Sequence, residues 1–325
     1  VDSQVIIPIS TSFNLDIVQV EITSKCTLKC PRCPRTELTL DYINQEISLD
    51  SFKEIFTPAV LSQIKFLLFC GHTGDPIYAT EFLEIIEYIK KNSSTQIRIT
   101  TNGSYKKEDW WVKLGTLLDK NDGVTFSVDG WDNQSNNLYR INSNFDSIVT
   151  GITVLRANSQ CHIKWSTIYF KFNQRQIDKI GKIAKESGCD VFQLVKSAKF
   201  DGRYLINGVD PLKPTEELVS ENNNYQREKQ IFGRDDPFTI EQTKHAHPFA
   251  KCLNGAKELN VTVEGYVYPC GWFNTGYQGN AFAEKYKNKI NVNTRTLKEI
   301  LEDPLWNELT KEFNLEICQI KCKNG

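Results

Sequence analysis

Cys26, Cys30 and Cys33 lie in one short stretch, spaced CxxxCxxC. Thiolates at this spacing are metal ligands. A [4Fe–4S] cluster normally takes four of them, so three from one loop leave an iron whose open position can chelate a small molecule. Zinc is the alternative; it would ask for a fourth ligand, and His72 would serve only if the fold brought it there. A second set, Cys252, Cys270, Cys318 and Cys322, has four members. Its first pair reads C-x12-G-x4-C around Gly265 and its second pair reads CxxxC. Four thiolates can close a cluster or a zinc knuckle, and ligand type alone does not separate the two. Cys161 and Cys189 read as small buried hydrophobes, Cys70 stands at a strand end, and His245 and His247, just before Pro248, would be surplus as ligands.

The elements that must position these groups follow from periodicity. Residues 17–23 alternate as a strand and deliver the thiol loop. The apolar run Phe66–Phe69 reads as a buried strand ending in Cys70-Gly71-His72-Thr73-Gly74-Asp75-Pro76. Further strands are expected at 96–101, 124–128, 162–172 and 191–195. Helices are expected between them: one capped by Ser48 or Asp50 and disturbed at Pro58, one capped by Thr80, one carrying Trp110 and Leu114, one with Phe145, Ile148 and Leu155, and one from Ile177 that ends at Gly188. Six strands alternating with helices predict parallel βα units of the α/β class, a partial (βα)6 TIM-like barrel with its chemistry at the C-terminal strand ends. Residues 201–250 break the pattern and read as a long connection with some local helix. Leu259–Val263, Glu264-Gly265 and Tyr266–Tyr268 read as a hairpin with a two-residue turn, followed by a helix from Leu297 bent at Pro304. The expected domains are therefore 1–200 (barrel), 201–250 (connection) and 251–325 (a small hairpin and helix domain).

Composition narrows the class. The 325 residues carry 39 basic and 40 acidic side chains, a net charge of -1. No basic excess points to nucleic acid or an anionic membrane. The densest apolar run, 64–70, is too short to span a bilayer, and Val1-Asp2-Ser3-Gln4 lacks the pattern of a secretory signal. Cysteines clustered at short spacings in a long chain suit a reducing, cytoplasmic setting and metal ligation. Trp110, Trp111, Trp165, Trp272 and Trp306 read as core residues; Trp272 and Phe273, just after Cys270, can instead shield a metal centre. Lys164, Lys171, Gln193 and Lys196 lie on the fifth and sixth strands, where one facing inward can bind a substrate anion.

With these motifs in order, the chain resembles the radical S-adenosylmethionine (radical SAM) superfamily over roughly residues 15–200. Cys26, Cys30 and Cys33 match its signature; Thr73-Gly74-Asp75-Pro76 resembles its "GGEP" segment; Ser127–Gly130 resembles its fourth-strand end; Tyr139-Arg140 resembles its arginine segment. The resemblance implies that Cys26, Cys30 and Cys33 hold a SAM-binding [4Fe–4S] cluster. SAM contacts are implied for Arg32, Thr73, Gly74, Asp75, Asn102, Ser127, Asp129, Arg140 and Leu194. Arg32 replaces the usual aromatic residue, and Thr73 and Asp75 depart from GGEP. The C-terminal cysteines resemble a twitch domain, the shortened SPASM extension, which implies that Cys252, Cys270, Cys318 and Cys322 hold an auxiliary [4Fe–4S] cluster. The implied activity is reductive cleavage of SAM to a 5′-deoxyadenosyl radical and hydrogen abstraction from a substrate C–H. A flavodoxin or ferredoxin would donate the electron. The implied substrate is a peptide, as in modification of ribosomally made precursors, or a small molecule, as in the aminosugar alcohol dehydrogenases. A non-enzymatic iron–sulfur or zinc-stabilised binding protein is the alternative of another class.

Overall fold

The computed structural model describes residues 15–37, 44–195, 197, 200, 202–216, 258–271, 273 and 284–306. They fall into two compact units: one holds residues 15–25, 44–97 and 258–306, the other 26–37 and 98–216. The fold is α/β with mostly parallel strands, the class of a partial (βα)6 TIM-like barrel.

In the first unit, β1 (Leu15–Val20) pairs in parallel with β2 (Ile64–Phe69), register Val18 to Leu67, and on its other side with β7 (Glu258–Val261). Alternation sorts β1: Val18 and Val20 are buried, while Gln19 between them faces the opposite way. Immediately before β2 in the chain come two short helices, α2 (Leu49–Ile55) and α3 (Pro58–Leu61). Ser48 caps the first, accepting from Ser51 N, as expected. Pro58 does not disturb the end of that helix. It opens a second one, because proline at the first helical position loses no hydrogen bond. Thr80 is not the cap of α4 (Phe82–Asn92): its backbone N–H and hydroxyl both go to Glu46, and Glu81 stands at the helix start without a side-chain cap. Phe52, Phe56, Phe69 and Phe82 form the aromatic core, with Phe52 and Phe56 centroids 4.7 Å apart and Phe69 and Phe82 5.3 Å apart.

In the second unit, Arg98–Thr101 of β3 (Gln96–Thr101), β4 (Gly123–Ser127), β5 (His162–Ile168) and β6 (Val191–Val195) pair in parallel. Between β3 and β4 runs α5 (Glu108–Leu117), between β4 and β5 come α6 (Asn133–Asn136) and α7 (Phe145–Asn158), and between β5 and β6 lies α8 (Ile177–Glu186). Gly188 follows α8 at φ +99°, the left-handed position expected of it. β5 stops at Ile168, short of the predicted Phe172. Asn173 captures the Phe170 N–H and donates to the Ile168 and Asp129 carbonyls, which turns the chain out of the sheet. Trp111 and Trp165 are buried as core residues, as are Cys161 and Cys189.

The hairpin of β7 with β8 (Val267–Tyr268) belongs to the first unit. Its turn has three residues, not two: Thr262 O accepts from Gly265 N, Thr262 N donates to Tyr266 O, and Gly265 takes φ +89°. Helix α9 (Leu297–Leu301) starts at a Thr296/Glu299 capping box and breaks before Pro304, and the chain is helical again at Leu305 and Trp306. Residues 202–216 contain turns and no helix; the rest of the 201–250 connection lies outside the described residues.

Candidate metal centre

The thiol loop is built by the backbone that leaves β1. Cys26, Cys30 and Cys33 are all free thiols and all partly exposed. Leu28, buried at the centre of the loop, anchors it, and its N–H points at Cys26 Sγ at 3.4 Å. Asn102 Nδ2, from the end of β3, lies 3.7 Å from the same sulfur, while Asn102 Oδ1 accepts from Ser104 N. The loop is pinned by residues 141–142: Lys29 N donates to Ile141 O, and Asn142 Nδ2 donates to Thr27 O. Cys33 O accepts from Thr36 and Glu37 in α1 (Pro34–Glu37), which fixes the third thiol at a helix start.

Next to the loop stands a buried ion pair. Arg140 Nε lies 2.7 Å from Asp129 Oδ2, and Asp129 Oδ1 accepts from Ile168 N at 2.7 Å. Burial pushes the Asp129 carboxyl up, and Arg140 pulls it back. Burial pushes the Cys30 thiol up to about 11, against the charge of Arg140, which favours the thiolate. Arg140 is held at its place by Asn136, fully buried, whose Oδ1 accepts from Asp129 N and Gly130 N, whose Nδ2 donates to Ser143 Oγ and whose carbonyl accepts from Arg140 N. Nothing in the sequence marks Asn136, which is one Asn among many until the turn it organises is seen.

Sheet register sorts the remaining candidates. Ser127, Ser166 and Gln193 are neighbours across β4, β5 and β6 on one half-exposed row, and Lys164 shares that row's face with Thr125. Leu194 pairs with Thr167 on the opposite, buried face. Its side chain therefore does not point the way of Ser127. Lys171 is exposed, and Lys196 lies outside the described residues.

Arg32 is not aimed outward as a loop arginine would be. Its side chain is 3% exposed, ion-paired to an equally buried Asp210, and lies 4.3 Å from the Tyr204 ring centroid and 5.1 Å from that of Phe200. Asp210 and Phe200 gave no signal in the sequence, because nothing local marks a partner 178 residues away.

In the first unit, Gly71 and Gly74 make the turn after β2 very tight. A Cβ at Gly71 would strike the Gly74 carbonyl, and one at Gly74 would strike Thr23 O. Asp75 N donates to Lys25 O, so this segment is seated on the backbone that leads into Cys26. Asp75 itself is buried and caps the short 3-10 turn Pro76–Tyr78 through Ile77 N. Lys25 is ion-paired to Glu46. Of the C-terminal cysteines, Cys270 follows β8 and is partly exposed, and its carbonyl accepts from Phe273 N; Phe273 is buried against Tyr268, ring centroids 5.9 Å apart. Cys252, Cys318, Cys322, Trp272, His245 and His247 lie outside the described residues.

Among the described residues no group of three or more His, Cys, Asp or Glu side chains converges on one metal-ion position. A mononuclear site needs such convergence; a cluster does not, since each thiolate takes its own iron. Three unbridged thiols in one loop, two N–H donors at Cys26 Sγ and a buried guanidinium beside Cys30 fit the cluster. Among the described residues no helix is long and apolar enough to cross a membrane.

Comparison with known proteins agrees with this chemistry. Residues 20–174 match the model of the radical SAM superfamily, and residues 252–323 match that of an iron–sulfur cluster-binding domain, SPASM. A probable GTP 3′,8-cyclase of Methanococcus maripaludis is 22% identical over 256 residues, 78% of this chain and 84% of that protein. Among solved structures, SuiB of Streptococcus suis bound to S-adenosylmethionine superposes with a TM-score of 0.65 at 16% identity, covering 96% of this chain and 73% of that one. SuiB bound to the precursor peptide SuiA gives 0.62 at 14% identity (91% and 67%), and anSMEcpe with bound AdoMet and the Cp18Cys peptide gives 0.58 at 18% (94% and 86%).

Proposed function

We propose, from the premise that this chain belongs to the radical SAM superfamily and carries a SPASM-type iron–sulfur domain, that it cleaves SAM reductively and abstracts hydrogen from a substrate C–H. The observation that carries the reading is the thiol loop of Cys26, Cys30 and Cys33 with the Asp129–Arg140 pair buried beside it. When bound, the cluster and SAM supply the chemistry: one electron breaks the sulfonium C–S bond, giving methionine and a 5′-deoxyadenosyl radical.

The chain's own residues prepare that event. Cys26, Cys30 and Cys33 would hold the cluster through their thiolates. Asn102 and the Leu28 N–H donate toward the Cys26 sulfur, which tunes it. Asp129 grips the Nε edge of Arg140 and leaves its Nη edge to receive the SAM carboxylate. Thr73, Gly74 and Asp75 offer backbone to the methionine amino group, in a turn that the bare Cα of Gly74 lets seat against the Thr23 carbonyl. Ser127 contributes from the half-exposed row, and Leu194 contributes through its backbone, since its side chain is on the other face. Arg32 takes part through its backbone too. Cys252, Cys270, Cys318 and Cys322 would hold an auxiliary [4Fe–4S] cluster of twitch type in residues 251–325, and such a cluster would supply an acceptor for an electron from the substrate. Residues 1–200 form the barrel domain and 201–250 the connection. A flavodoxin or ferredoxin supplies electrons in the cytoplasm.

The substrate we favour is a peptide; the fold shared with two peptide-bound structures supports it. A second reading is a small molecule, supported by the relatives named probable GTP 3′,8-cyclase. Anaerobic reconstitution, then dithionite and SAM, is expected to yield 5′-deoxyadenosine. Its absence from protein that holds the first cluster would defeat the reading. A GTP-dependent rise in 5′-deoxyadenosine would decide for the small molecule.

A further inference from the structure

Arg32 lies between Cys30 and Cys33, yet its guanidinium is buried away from bulk water. Burying a guanidinium is costly unless it is paired and stacked. Asp210 supplies the pair through Oδ1, and Tyr204 and Phe200 supply the aromatic faces. Asp210 is itself locked in a turn: its Oδ1 accepts from Leu212 N at 2.9 Å and its carbonyl from Lys213 N at 3.3 Å. The same stretch has a second anchorage. Lys171 N donates to Leu212 O, Gln174 exchanges hydrogen bonds with Thr215, and Arg175 pairs with Glu216 at 2.8 Å. Between Tyr204 and Asp210, which both meet Arg32, Asn207 and Gly208, at φ 49° and 78°, make a tight two-residue turn closed by the Ile206–Val209 bridge. Its tip displays Leu205, Ile206 and Val209 to solvent.

We propose that Arg32 and Asp210 form a latch that fastens residues 202–213 to the thiol loop, and that Arg32 is thereby a positioning residue. It holds the Cys30–Cys33 turn in shape for its iron and shields that turn from solvent. The shielding half rests on the reading of Cys26, Cys30 and Cys33 as cluster ligands; the fastening half does not. Coupling of this kind is reciprocal: whatever loosens the segment loosens the ligand turn.

Hydrogen exchange by mass spectrometry tests it, on reconstituted anaerobic protein and on cluster-free protein. In Arg32→Gln and Asp210→Asn, exchange across 202–213 is expected to rise about tenfold or more, with α8 unchanged. Iron should pass to a chelator faster by a similar factor, and Arg32→Lys, which keeps charge but not the stacked fork, should fall between. Unchanged exchange across 202–213 in folded variants would overturn the latch. Faster exchange with unaltered iron loss would overturn the shielding. If Arg32→Gln does not fold, Asp210→Asn, which keeps the side chain's shape, decides. Wild-type protein that takes up no iron would sink the cluster reading, while the cluster-free exchange data still decide the fastening.

Discussion

Gly74 shows how much one missing methyl group can fix. Its Cα lies against the Thr23 carbonyl and the Ser24 backbone, atoms that cannot swing aside as a side-chain tip would. Gly74→Ala should therefore cost about 1–3 kcal/mol in denaturant unfolding of the cluster-free protein, as overpacking does. It should also lower iron retention, because Thr23–Lys25 lead directly into Cys26. An alanine variant with wild-type stability and iron content would refute the seating. The Asp129–Arg140 pair makes the opposite demand, that nothing be removed singly. Asp129→Ala leaves a buried guanidinium without its carboxylate and should cost about 3–5 kcal/mol, whereas Asp129→Leu with Arg140→Met should cost much less. Equal losses in the single and double variants would show that the pair is not buried as a unit.

Elements differ in how they were written into the sequence. β2 was legible because an unbroken apolar run has few other uses, and α8 because its apolar spacing ends at a glycine that takes φ +99°. The failures came where a distant group outbid a local signal. Thr80 looked like a cap, but Glu46 takes both its donors. β5 looked longer, but Asn173 collects the backbone groups that would have extended it. Pro58 was read as a breaker when it is a starter. The segment behind α9 illustrates the same dependence on partners. Burial alone would raise the Asp303 carboxyl, but hydrogen bonds from Leu305 N and Arg295 and the charge of Lys289 hold it below the usual range. A carboxyl depressed in the folded state stabilises above its unfolded pKa of roughly 3.9 and loses that contribution as pH falls through its folded value. The stability gap between wild type and Asp303→Asn should thus be full at pH 7 and shrink below about pH 4. A gap that stays constant down to the acid limb would show that Asp303 acts by shape, not charge.

At the scale of the whole molecule, the sequence carried the chemistry better than the geometry. Cysteine spacing singles out two candidate ligand sets, while the Arg32–Asp210 pair and the Asn136 hub are visible only in the fold, since no sequence pattern marks their members as partners. Spacing does not say whether both sets load iron, and an iron count does. If both do, reconstituted protein should hold about eight iron atoms per chain and no zinc. Replacing Cys26, Cys30 and Cys33 by Ala should leave about four and abolish SAM cleavage. Replacing Cys252, Cys270, Cys318 and Cys322 should also leave about four, yet keep SAM cleavage while substrate oxidation is lost, because generating the radical and collecting the later electron are then separate tasks. Zinc in the C-terminal set would keep the first task and remove the second redox centre. The substrate would then have to be modified without giving up an electron to the protein, and an oxidised product from such a zinc-bearing chain would defeat the electron-accepting role.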